Sequence, residues 1–159
     1  LVPRALAWGV LGICITLAFM IFSAGVPLAM SRIGMDWARV RWPVRSARET
    51  AHAFAISLCL NTLFAPVLMV AHKVSDLHIA RYEGTLRCFG TSDVGGLLKS
   101  VNWDVMWRLV LFRTVVFFWI PVHTITFLLP EAFRVLFAAL LGAVLGLILA
   151  WAGSRQAKG

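Results

Sequence analysis

The chain has 159 residues, of which 60% are hydrophobic and 14% charged, and its mean hydropathy is +0.85. A soluble chain would carry ~25% charged residues, and here the apolar residues gather into long uncharged runs that leave too little polar surface to face water. The composition excludes an ordinary soluble domain and makes a lipid bilayer the expected solvent.

The net charge of +8 comes from 15 Lys and Arg against 7 Asp and Glu. Most of the basic residues lie between apolar runs, where contact with anionic lipid headgroups and the setting of topology explain them without a nucleic-acid partner. Cys14 and Cys59 sit inside apolar runs as small hydrophobes and Cys88 in a connecting segment, so no disulfide framework or zinc cage is expected. The chain starts without Met, and Leu1-Val2-Pro3-Arg4 matches the left half of a common protease-tag site, so a native start further upstream is expected.

A spanning helix needs ~20 apolar residues, and four segments qualify. Residues 5–30 carry no charge, and Gly25 and Pro27 should bend the end of that span. The second, 50–72, is equally free of Lys, Arg, Asp and Glu and contains Asn61 and Pro66. The third, 105–129, holds Arg108 and Arg113 in its first half and is uncharged from Thr114 to Pro130. The fourth is 135–154, and the five residues from Pro130 to Arg134 allow only a tight helical hairpin before it. The expected fold is an all-α, polytopic integral membrane protein, a single transmembrane domain over 1–159 with four helices in two hairpins.

The linker 31–49 carries Arg39, Arg41, Arg45 and Arg48 around Trp37 and Trp42. Indole rings settle at the headgroup level while arginines reach phosphates, so this is the expected lipid-headgroup segment; a basic mouth that attracts anions is the alternative. The linker 73–104 balances its charges and contains Gly84, Gly90, Gly95 and Gly96 as turn signals, which makes it the extramembrane piece. Lys and Arg are spread almost evenly between the two sides, so charge asymmetry sets no orientation.

Polar side chains inside a span need a partner or a water-lined cavity. Ser57 and Asn61 lie one turn apart on one face of the second span. In the third, Trp119, His123 and Thr126 share a face around Pro121. His123 is ~9 Å from the Pro130 end, too deep for an imidazole to reach bulk water, whereas Arg113 is long enough to snorkel and has Asp76 and Asp104 as expected partners. Ser57, Asn61, Arg113, Trp119, His123 and Thr126 are therefore the candidates for a polar route through the bundle, with helix packing as the competing role. Pro66 frees the carbonyl near Thr62, as an acceptor for a solute or simply as a bend. In the fourth span Ala138, Gly142, Gly146 and Ala150 recur every fourth residue, a spacing that lets a second helix, from this chain or another, approach closely.

Glu49 and His52, with His123 in the same half of the bilayer, form one weak metal or haem pattern, and His72, Asp76 and His78 another. No nucleophile and base set or phosphate-binding glycine loop accompanies them. No enzyme, metal or cofactor is expected, and a small membrane enzyme with metal or haem ranks behind a channel, a transporter or an accessory subunit.

The string from Trp119 to Arg134 resembles the signature of the peroxisomal membrane protein and mitochondrial inner-membrane protein family. Trp119, Phe127, Pro130, Phe133 and Arg134 match, His123 stands where Gln is usual and Thr126 where Asn is usual, one residue is missing before Pro130, and Phe64-Ala65-Pro66 is similar to a triplet in the second span of some members. The resemblance implies four membrane helices and a channel-like role for small solutes or ions, in an organelle membrane or, for a bacterial relative, the cytoplasmic membrane. A structural or accessory subunit of a membrane complex is the other reading, with a homo-oligomer or a partner subunit docked on the small-residue face.

Overall fold

A computed structural model of the chain describes residues 2–35, 45–90, 93–130, 132–134, 136–137 and 140–141. Among these there is no strand, and three helices are long and apolar enough to cross a membrane: Val2–Arg32, Ala47–Arg81 and Trp103–Leu128. The fourth expected span lies mostly outside the described residues, as do Ala138, Gly142, Gly146 and Ala150 of its small-residue face. Trp37, Arg39, Arg41 and Trp42 of the first linker fall outside them too.

Helix α1, Val2–Arg32, continues through Pro27 rather than ending at it. It stops where Gly34 enters the left-handed region at φ +84, so that Met35 N–H reaches back to Met30 O (2.9 Å) and Gly34 N–H to Ser31 O (3.3 Å). Helix α2 (45–81) outlasts the expected 50–72 span by nine residues and carries the start of the second linker as helix. The same kind of stop closes it: Glu83 (φ +51) and Gly84 (φ +69) turn left-handed, and Gly84 N–H bonds to Ile79 O at 2.9 Å. A single 3-10 turn, Leu86–Phe89, and a short helix α3, Val94–Ser100, follow. Asp93 caps α3 by accepting from Gly96 N–H (2.9 Å), and a Cβ at Gly96 would strike that carboxylate. Helix α4, Trp103–Leu128, begins at Asn102, whose side-chain oxygen accepts from Val105 N–H at 3.1 Å.

Two stretches of wider, i to i+5 hydrogen bonding interrupt the long helices, Leu60–Phe64 in α2 and Met106–Trp119 in α4. Each ends just before a proline, Pro66 and Pro121. Within these stretches the bonds reach five residues back, Ala65 N–H to Leu60 O and Ile120 N–H to Val115 O, so these carbonyls stay paired inside the helix. The prolines withhold a donor from different carbonyls, those of Thr62 and Phe117.

The three long helices run up, down and up. Ala18 of α1 meets Ala53, Ile56 and Leu60 of α2 and Phe127 of α4. Ala65 meets Val115 and Ile120 at mid-height, and Met69, Val74 and Leu77 meet Val101, Met106 and Leu111 at the far end. Helix α2 is the central one, and α1 buries least of its apolar window. Leu6, Val10, Ile13, Leu17, Met20, Ile21 and Leu28 all point outward from α1, an apolar face suited to lipid chains rather than water.

Ala18 and Ala53 are 4% and 3% exposed, and their small size sets how closely α1 approaches α2. Ala53→Leu should overpack that contact and cost about 1–3 kcal/mol, read as earlier unfolding in an SDS titration of bicelle-embedded protein. Leu17→Ala on the outward face should leave the midpoint nearly unmoved.

Candidate functional site

The polar side chains of α2 and α4 meet in one seam. Ser57 and Asn61, one turn apart, turn inward from α2 and are 0% and 1% exposed. Ser57 Oγ donates to the backbone carbonyl of Ile120 at 2.7 Å, across to α4. That carbonyl also accepts from Thr124 Oγ1 at 2.7 Å, so two hydroxyls converge on it just beside Pro121.

Asn61 closes the seam. Its Nδ2 lies 2.8 Å from Ser57 O, 3.3 Å from Ser57 Oγ and 2.9 Å from His123 Nδ1, whereas its Oδ1 lies 3.2 Å from the same imidazole nitrogen. Ser57 O can only accept, which fixes the amide with its NH2 group toward Ser57, and the shorter contact then makes His123 Nδ1 the second acceptor. A neutral imidazole with its proton on Nε2 satisfies this arrangement.

Two aromatic rings pack against the imidazole. Phe19 of α1 stands edge-on to it, with centroids 5.1 Å apart and planes at 87°, and Trp119 lies tilted at 5.2 Å. Phe19 also packs on Phe127 at 5.1 Å. Phe19 was not among the sequence candidates, because nothing distinguishes one Phe within the uniformly apolar α1.

The remaining candidates fall elsewhere. Thr126 is buried, but its hydroxyl bonds back to Val122 O of its own helix at 2.9 Å. Arg113 is exposed, and neither carboxylate expected to meet it does so: Asp104 pairs with Arg108 at 3.0 Å and Asp76 lies 3.5 Å from His72 Nδ1. Arg48 is exposed near the start of α2; of Arg45 only the backbone is described. His78 Nε2 donates to Cys88 O (2.7 Å), so His72 and His78 serve different partners. Among the described residues no three His, Cys, Asp or Glu side chains come together as a metal cage.

The seam can lock two helices at one register, and in it the Ser57 hydroxyl donates to the Ile120 carbonyl while the His123 imidazole faces the Asn61 amide. No protein-family model, curated protein or solved structure matches the chain.

A double-mutant cycle between Asn61→Ala and His123→Ala should give a coupling of about 0.6–2 kcal/mol, the range of interhelical hydrogen bonds in membranes. Ser57→Ala should cost only ~0.6 kcal/mol, because the Ile120 carbonyl keeps the Thr124 hydroxyl. Both are read from SDS titration in bicelles; additive single-site effects would contradict the assigned Asn61–His123 bond.

Proposed function

We propose that the chain is a non-catalytic integral membrane protein, a structural or accessory subunit whose Ser57–Asn61–His123 seam holds the second and third spans in a fixed register. The observation that carries this reading is the closure of the seam: Ser57 and Asn61 are shut off from solvent and directed at protein acceptors. A route for solutes needs unsatisfied groups facing a passage, whereas these groups spend their hydrogen bonds on one another. The fourth span completes a second hairpin on this reading, and its Ala138, Gly142, Gly146 and Ala150 face docks the partner.

A second reading has one feature in its favour. Polar groups from two spans converge at a single depth around an imidazole, and the resemblance noted above implies a channel-like role. On this reading the seam is the closed gate of a pore for small solutes or ions, with Asn61 and His123 as the parting pair.

Flux measurements separate the two. As a structural subunit, the reconstituted protein leaves liposomes as tight to ions and small metabolites as protein-free vesicles, and Asn61→Leu lowers stability without creating flux. Extraction in mild detergent from the native membrane should also yield a particle larger than the chain, with a fixed partner stoichiometry. Wild-type flux that changes with Asn61→Leu would replace the first reading with the second.

A further inference from the structure

A second cluster of polar side chains, not used by the seam, lies where α1 begins and α2 ends. Arg4 and Trp8 of α1 and Lys73, Asp76, Leu77 and Ala80 of α2 line an open depression of about 440 Å³. The sequence fixes its level. The uncharged run of α1 starts immediately after Arg4, and that of α2 stops immediately before Lys73. Two antiparallel helices thus leave the hydrocarbon at the same depression, which places it in the headgroup layer.

Its chemistry has both signs. Among the described residues neither Arg4 nor Lys73 belongs to an ion pair, so two cations from two helices face one cavity. Asp76 supplies a carboxylate to the same cavity. Its only ion-pair contact among the described residues is His72 Nδ1 at 3.5 Å, and with the side chain 46% exposed the carboxylate has room for a stronger donor. Trp8 packs edge-on against His72, with centroids 4.6 Å apart, and forms the wall on the hydrocarbon side.

We propose that this depression binds the phosphoethanolamine headgroup of a membrane phospholipid. Arg4 and Lys73 hold the phosphodiester, and Asp76 accepts hydrogen bonds from the primary ammonium. A plain anion would meet the same two cations but would lie against the Asp76 carboxylate. A choline headgroup has a positive charge yet no N–H to donate, so it forfeits the Asp76 contact. The acyl chains continue below Trp8 along the outward apolar faces of the helices. This assignment depends on membrane insertion but is independent of whether the seam is a lock or a gate.

Native mass spectrometry of the full chain ejected from nanodiscs tests it. The discs contain equal amounts of phosphatidylethanolamine, phosphatidylcholine and phosphatidylglycerol. The wild type should retain phosphatidylethanolamine over both others by about fivefold, the range of a partly exposed charge pair. Asp76→Asn should abolish the preference over phosphatidylcholine while leaving total phospholipid retention nearly unchanged. Lys73→Gln should lower retention of all three. Circular dichroism confirms that each variant keeps its helices, and because both substitutions are near-isosteric and partly exposed, neither should disturb them. Equal retention of the three lipids by the wild type, a phosphatidylglycerol preference, or an ethanolamine preference that survives Asp76→Asn would each overturn the proposal. Soluble glycerophosphoethanolamine should not displace the retained lipid; if it does so at comparable concentration, the ligand is a soluble phosphodiester and the lipid assignment fails.

Discussion

The amide of Asn61 imposes the strictest demand in this structure. A primary amide has two donors and an acceptor, and at 1% exposure in the middle of an apolar helix it has no water to turn to. Its two donors are met by one acceptor from its own helix, Ser57 O, and one from α4, His123 Nδ1. Helices in hydrocarbon gain little from apolar contact with each other, because lipid chains are equally apolar. The polar seam therefore sets the register of α4 against α2, and the alanine and leucine contacts above and below it fill the space that this register creates.

The backbone obeys the same rule. Pro66 and Pro121 each delete a donor inside a membrane-length helix, and in each case the hydrogen bonding has already widened ahead of the proline. The widening also displaces side chains around the helix axis, since a wider turn rotates each residue less. Asn61 lies within the first widened stretch and Trp119 at the end of the second, so the widened turns also help to aim the seam. Just past that second stretch the Ile120 carbonyl accepts hydroxyls from both Ser57 and Thr124, one from each helix.

Much of this was legible in the residues. Long uncharged runs give helices because a water-free solvent forces the backbone to bond to itself, and three of the expected spans coincide with the three membrane-length helices. The four-residue spacing of Ser57 and Asn61 announced a shared face, and the depth of His123 announced a need for a partner. That these two needs answer each other depends on the relative register of α2 and α4, which periodicity within either helix does not encode. The apolar run of α2 ends at Lys73, but loss of apolar character does not end the helix. The helix runs on to Arg81 because its real stop is the left-handed pair Glu83 and Gly84, and a non-glycine residue in that conformation gives little warning in sequence. Arg113 shows a different limit. Two carboxylates on its side of the membrane suggested a partner, but an i, i+4 neighbour, Arg108, claims Asp104 first.

Helix α1 raises a question that the seam leaves open, because none of its three hydroxyls reaches another helix. Thr16, Ser23 and Ser31 bond to Gly12 O, Met20 O and Leu28 O of their own backbone. Since these hydroxyls do not fix its register, shape contributes, and two of its rings supply it. Trp8 meets His72 of α2 and Phe19 meets His123 of α4, each with a ring edge. The two contacts are eleven residues apart on α1, roughly 16 Å along the axis at the ordinary helical rise. One ring contact would let α1 slide or pivot, but two at that separation, with the Ala18–Ala53 approach beside the inner one, fix both its height and its tilt. The inner contact also covers the imidazole from the third side. Helix α1 is thus held by the histidines of its neighbours, and in return it completes the dry surroundings that make the Asn61–His123 bond worth having.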